Sequence, residues 1–81
     1  MHRIKPMEMK IALTIMWMQA QKDQWKKVRL SDISKQVGIS GSAVSGYCKW
    51  LQHCRIVQNS TKEGWTSGDK AKIYLKHWGV I

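Results

Sequence analysis

The chain has 81 residues, 43% of them hydrophobic, which predicts one small domain over 1–81 with a modest core. Its 14 Lys and Arg against 5 Asp and Glu give a net charge of +9, which favours a polyanionic partner, nucleic acid first and an anionic membrane surface second. A basic surface with no specific partner is the plain alternative. Two cysteines exclude a disulfide framework and fit a reduced, cytoplasmic protein, and the apolar run at 11–18 is too short to span a bilayer.

The first predicted helix covers about 6–24, because Pro6 suits a first helical turn and no breaker follows. Two apolar stripes run along it. One joins four residues that we expect to face the core: Met7, Ile11, Ile15 and Met18. The other lies nearly opposite, which favours contact with a second subunit over a helix enclosed by its own domain. The predicted homodimer contacts are Met9, Leu13, Met16, Trp17 and Ala20.

Two shorter helices follow the basic connector at 25–30. Ser31 is the expected N-cap of a helix over about 32–37, and Gly38 supplies its left-handed stop. Ser40 is the expected N-cap of a third helix over about 41–54. Its buried stripe is predicted to contain Val44, Tyr47, Cys48 and Leu51.

The remaining chain predicts a β-hairpin over about 55–78. Residues 55–60 have strand character, and the turn-rich stretch 61–70 forms the predicted long, basic tip with Trp65 in it. Apolar and polar residues alternate over 71–78, which is typical of a half-buried strand. The fold class is therefore mainly α with a small β-hairpin (α+β), as three helices plus a β-wing.

The segment "LSDISKQVGISGSAVSGYCKWLQHCRIV" (30–57) resembles the helix-turn-helix of MarR-like winged-helix regulators. Small fimbrial, phage and plasmid regulators of bacteria are similar in size and layout. The likeness rests on Gly38-Ile39-Ser40 at the turn, Ala43-Val44-Ser45 in the third helix, and Leu51 and Ile56-Val57 after it. Arg55 stands where the family usually has Gly. The resemblance implies a winged helix-turn-helix whose third helix lies in the major groove of double-stranded DNA.

That implication defines the expected DNA contacts. On the third helix, small side chains would let the backbone come close to DNA, serines would bond phosphates or bases, and Lys49 would reach a phosphate or a guanine. The basic wing would follow phosphates or enter a minor groove. Trp65 is included, although folding back onto the domain or contact with a partner is favoured for its indole over contact with a base. The full set is Ser40, Gly41, Ser42, Ala43, Ser45, Gly46, Lys49, Arg29, Lys35, Lys62, Trp65 and Lys70.

The sequence offers little for catalysis or metal binding. Cys48, His53 and Cys54 lack zinc-site spacing, and Cys48 lies on the expected buried stripe. No nucleophile–base pair and no glycine-rich phosphate loop occur, so we expect neither an enzyme nor a cofactor or metal.

These patterns together predict a small, nucleoid-associated transcriptional regulator that binds specific double-stranded DNA as a homodimer. A second regulatory protein is a further expected partner, and a membrane is not. Two alternatives stay open: a winged-helix module that binds a protein, and a nonspecific nucleic-acid-binding protein.

Overall fold

A computed structural model describes residues 4–21 and 23–80. Within them the helices and strands follow in the order α1 (Pro6–Ala20), α2 (Leu30–Val37), α3 (Gly41–His53), β1 (Val57–Ser60), β2 (Gly64–Ser67) and α4 (Ala71–His77). The radius of gyration is 11.6 Å. The chain thus forms a compact α+β domain of four described helices and an antiparallel hairpin, which confirms the predicted class but adds a helix.

Helix α1 buries one face and begins with a capped first turn. The Glu8 carboxylate accepts a hydrogen bond from the Lys5 backbone N–H at 3.1 Å, and Ile11, Ile15 and Met18 are fully buried, as predicted. The helix ends at Ala20, so its predicted extent to about residue 24 is wrong. The chain turns back there, and the Trp25 ring packs 5.2 Å from the Trp17 ring. Residue 22 lies outside the described residues.

Helices α2 and α3 are joined by a tight turn. The predicted cap at Ser31 is wrong: α2 begins at Leu30, and the Asp32 carboxylate accepts the Arg29 N–H at 3.1 Å from inside the first turn. Gly38 ends α2 with a φ of 85°, as predicted. Ser40 caps α3 as predicted, and its hydroxyl accepts the Ala43 N–H at 3.3 Å.

The hairpin is short, and the connector before α2 is bonded to it. Its register pairs Val57 with Ser67 and Ser60 with Gly64, and the turn covers 61–63. Val28 extends the hairpin at the free edge of β2. Its N–H donates to the Glu63 carbonyl at 3.0 Å, and its carbonyl accepts the Trp65 N–H at 2.9 Å. This contact fixes where α2 begins relative to the hairpin.

The predicted strand over 71–78 is wrong, because this segment is α4. Its more buried residues are Ala71, Tyr74, Leu75 and Trp78, and their spacing of three and four fits a helix. Ile73, expected to point inward, is 51% exposed. The true second strand, β2, lies inside the predicted tip. Strand β1 pairs with one edge of β2. On the other edge, Val28 forms a single bridge with Gly64, and the Ser67 N–H donates to the Gln19 side-chain oxygen at 2.8 Å.

The core lies where α1, α2, α3 and the hairpin meet. Each contributes fully buried apolar side chains, so no element folds by its own propensity alone. These side chains include Ile11, Ile15 and Met18 of α1, Ile33 of α2, Val44, Cys48 and Leu51 of α3, and Val57 of the hairpin with Ile56 just before it.

Candidate nucleic-acid interface

Helix α3 has a core face and a solvent face with separate compositions. Val44, Cys48 and Leu51 are fully buried on the first. Four of its exposed positions are spaced by four, three and four, so they form one stripe along the opposite face. This stripe consists of Ser42, Gly46, Lys49 and His53, and we call it the α3 stripe. Tyr47, predicted to be buried, is only half-buried, as are Ala43 and Ser45.

The first turn of α3 is held by its serines. The Ser40 hydroxyl caps the helix and lies 3.3 Å from the Ser42 hydroxyl oxygen. The Ser34 hydroxyl donates to the Ile39 carbonyl across the turn between α2 and α3. Ser40, predicted to contact DNA, therefore has a structural role at this position. The network fixes the angle at which the α3 stripe is presented.

The two glycines of α3 have no packing role within the described chain. A β-carbon added to Gly41 or Gly46 would meet no heavy atom within 4 Å. A glycine in the middle of a helix costs about 1 kcal/mol relative to alanine. At Gly46 the protein accepts this cost without relieving any internal clash. No side chain projects from the α3 stripe at Gly46, so a partner could lie close to the helix backbone there.

The hairpin holds Lys62 in its turn, as predicted, but places Trp65 differently from the sequence prediction. Lys62 is exposed in the turn at 61–63, which is the actual tip. Trp65 lies in β2 and is only 8% exposed, so its predicted place in an exposed tip is wrong. The indole folds back into the core, which is one of the two roles that the sequence favoured. Lys70 is exposed just before α4. It lies beyond the end of β2 opposite to Lys62, so the two lysines do not flank a common tip.

Positive charge covers the surface and is little compensated. All the Lys and Arg residues within 4–21 and 23–80 are exposed, Arg29 and Lys35 among them. Three carboxylates have local roles: Glu8 is buried at the start of α1, Asp32 caps α2, and Asp69 lies 3.9 Å from the Arg55 guanidinium. That last pair is exposed and contributes little to stability.

The predicted set of DNA contacts leaves out three exposed polar residues of this region. His53 extends the α3 stripe by one turn, on the outward face where the helical spacing of the sequence places it. Gln58 and Asn59 are exposed on β1, next to the turn that holds Lys62. Their exposure depends on the hairpin register, which the sequence did not reveal.

The outward stripe of α1 lies on the surface. Met9, Leu13 and Met16 are half-buried, Ala20 is exposed, and the Trp17 side chain is 47% exposed. The predicted homodimer through these residues stays a prediction.

Cys48 and Cys54 are free thiols. Burial raises the pKa of Cys48 to about 12, and burial together with the charge of Glu8 raises the pKa of Cys54. Both shifts oppose the thiolate that metal binding and nucleophilic attack require. Among the described residues, no three His, Cys, Asp or Glu side chains are grouped closely enough to hold a metal ion.

No protein-family model matches the chain, and no curated protein matches it significantly. Every helix within 4–21 and 23–80 is too short or too polar to cross a bilayer.

Proposed function

We propose that this chain is a winged helix-turn-helix protein that binds double-stranded DNA and acts as a small transcriptional regulator. In this proposal α3 enters the major groove, and the hairpin is the wing. The element order supports it, since α1, the Val28 bridge, α2, α3 and the hairpin follow in the order of a winged helix. The additional helix α4 follows the wing.

The α3 stripe is the observation that carries this proposal. It combines an exposed helix face, small side chains and a lysine, on a helix whose first turn is fixed by Ser40. A helix of 13 residues is about 20 Å long at 1.5 Å per residue, which is ample to cross a major groove about 12 Å wide. Because Gly46 has no side chain, the backbone of α3 can approach the floor of the major groove.

Charge supports the same partner. Phosphate neutralisation by Lys and Arg supplies most of the affinity in nonspecific DNA binding and a large share in specific binding. Arg29 just before α2, Lys35 on α2 and Lys62 on the wing provide exposed cations on elements that adjoin the proposed reading helix. Base discrimination would come mainly from Lys49 and His53, because serine distinguishes bases weakly. DNA shape would supply the rest.

A salt series of DNA binding tests this proposal. Fluorescence anisotropy with a labelled random-sequence duplex compares the wild type with Lys49→Ala and Lys62→Ala. Each substitution should weaken binding and reduce the slope of log K against log salt by about 0.9, the value for one lost phosphate contact. Lys76→Ala is the matched control, because Lys76 is exposed on α4, away from α3 and the wing.

Two results would contradict the proposal. One is the absence of binding by the wild type at low salt. The other is an equal effect of all three lysine substitutions, which indicates contact through bulk charge. Selection of sequences from a random pool then separates specific from nonspecific binding, because a nonspecific protein enriches none.

A further inference from the structure

An apolar groove runs along the outer side of α1, and neither α3 nor the hairpin contributes to it. Its volume is about 450 Å³. We call it the α1 groove, and it is lined by Pro6, Met9, Lys10, Leu13, Thr14, Trp17 and Gln36. The lining is mostly apolar. The Thr14 hydroxyl donates to the Lys10 carbonyl at 2.7 Å, so this side chain already has a partner within α1.

The dimensions of the groove suit a short helix. From Pro6 to Trp17 the axis of α1 rises about 17 Å at 1.5 Å per residue, which equals about three helical turns. Trp17 is the last residue of α1 that lines the groove, and its ring lies 5.2 Å from the Trp25 ring. Met9 provides an adaptable contact, a common property of grooves that receive helices.

We propose that the α1 groove binds an amphipathic helix of a partner protein that carries acidic residues beside its apolar stripe. The apolar stripe would cover Met9, Leu13 and Trp17, and a carboxylate would pair with Lys10. The proposal concerns a surface separate from the α3 stripe and does not depend on DNA binding.

Charge selects an acidic partner over a second copy of this chain. Lys10 is the one charged residue that lines the groove, and no carboxylate lies with it. A second copy would bring its own lysine and another net charge of +9 to this face, and like charges at an interface are costly. An acidic helix is attracted to the same face by Lys10 at close range and by the net positive charge of the chain at longer range. The homodimer that the sequence suggested is therefore the rival outcome in the test.

The experiment uses the full chain and two synthetic peptides of about 15 residues, a length at which an isolated helix is marginally stable. Both carry leucines at i, i+3, i+4 and i+7. One has glutamates beside the leucines, and the other has lysines there. With a fluorescein label on each peptide and no DNA present, the acidic peptide should bind at least about tenfold more tightly than the basic one.

Charge reversal separates the groove from general attraction. Lys10→Glu should weaken the acidic peptide about tenfold and strengthen the basic peptide. Lys76→Glu changes the net charge equally outside the groove and should weaken the acidic peptide by less than about twofold. Leu13→Glu should abolish acidic-peptide binding, while circular dichroism checks that both groove variants are folded.

Three outcomes would overturn the proposal: no binding of the acidic peptide at millimolar concentration, equal effects of Lys10→Glu and Lys76→Glu, or a dimer in sedimentation velocity that Leu13→Glu dissociates. The last result assigns the face to a second copy. DNA binding by Leu13→Glu should equal that of the wild type. The two proposals can therefore fail separately: the peptide assay tests only the α1 groove, and the DNA assay tests only the α3 stripe and the wing.

Discussion

Gly64 lies directly against Val28: a β-carbon on Gly64 would stand 2.2 Å from the Val28 carbonyl oxygen. The same carbonyl accepts the Trp65 N–H at 2.9 Å, so the contact that ties the connector to the hairpin leaves no room for a side chain. Gly64 also has a φ of 73°, which disfavours any other residue. This close approach couples the start of α2 to the hairpin.

Gly64→Ala should therefore destabilise the domain by about 2–4 kcal/mol, through backbone strain and displacement of Val28. Urea unfolding followed by tryptophan fluorescence measures the change. Gly41→Ala is the matched control, since its added methyl group meets open space, and it should be neutral or slightly stabilising. Equal stabilities for the two variants would show that Val28 and Gly64 are not held together in solution.

Arg55 supplies a second prediction, because it adopts a left-handed φ of 62° after α3. This conformation costs a non-glycine residue about 1–2 kcal/mol. Arg55→Gly should stabilise the domain by about 1 kcal/mol, since relief of strain exceeds the added flexibility of the unfolded chain.

Arg55→Ala separates the backbone effect from the ion pair with Asp69. It removes the guanidinium but keeps the strained backbone, so its stability should lie within about 0.5 kcal/mol of the wild type. The same denaturation assay compares the three proteins. A gain in Arg55→Ala equal to that in Arg55→Gly would rule out relief of backbone strain as the cause.

The sequence predicted α3 and its turn well because local chemistry controls them. A left-handed glycine at Gly38 and a capping hydroxyl at Ser40 act over three or four residues, and the buried stripe follows the helical period. The same signals placed the exposed stripe of α3 correctly, including Ser42, Gly46 and Lys49.

The region after α3 could not be predicted in this way, because long-range pairing decides it. Strand β2 exists where Val28 and β1 both bond to it, and Val28 is more than 30 residues away in the chain. The apolar residues of 71–78 fit a period of two or of 3.6, and a short run cannot distinguish them. The segment 71–78 contains α4, and the second strand of the hairpin is β2, where Trp65 is buried rather than exposed at a tip.

Cys48 gives a pH-dependent prediction. Burial raises its pKa from 9.0 to about 12 in the folded protein, so between these values the unfolded state loses the proton first. Stability from this thiol is present below pH 9 and is lost as the pH rises toward 12. From pH 8 to pH 10 the wild type should lose on the order of 1 kcal/mol more than Cys48→Ala.

Guanidinium unfolding at the two pH values measures this difference for Cys48. All other groups are common to the two proteins, so their contributions cancel in the comparison. Identical pH dependences in the two proteins would place the Cys48 thiol in contact with water. A thiol reagent at pH 8 should likewise modify Cys48 only after unfolding, because the buried thiol is protonated.

Gly46 tests how closely α3 approaches its partner. Its β-carbon position is open, so Gly46→Ala should stabilise the domain by about 0.5–1 kcal/mol through helix propensity. If the α3 backbone lies against DNA, the same methyl group should weaken duplex binding about tenfold, because a close-packed interface cannot absorb it without shifting. Anisotropy and urea unfolding on the same samples record both effects.

Gln52→Ala is the control, because Gln52 is exposed on α3 outside the stripe, and it should leave DNA affinity within about twofold of the wild type. Unchanged DNA affinity in the more stable Gly46→Ala would mean that α3 does not closely approach DNA at this turn, and that the lysines contact the backbone from a greater distance.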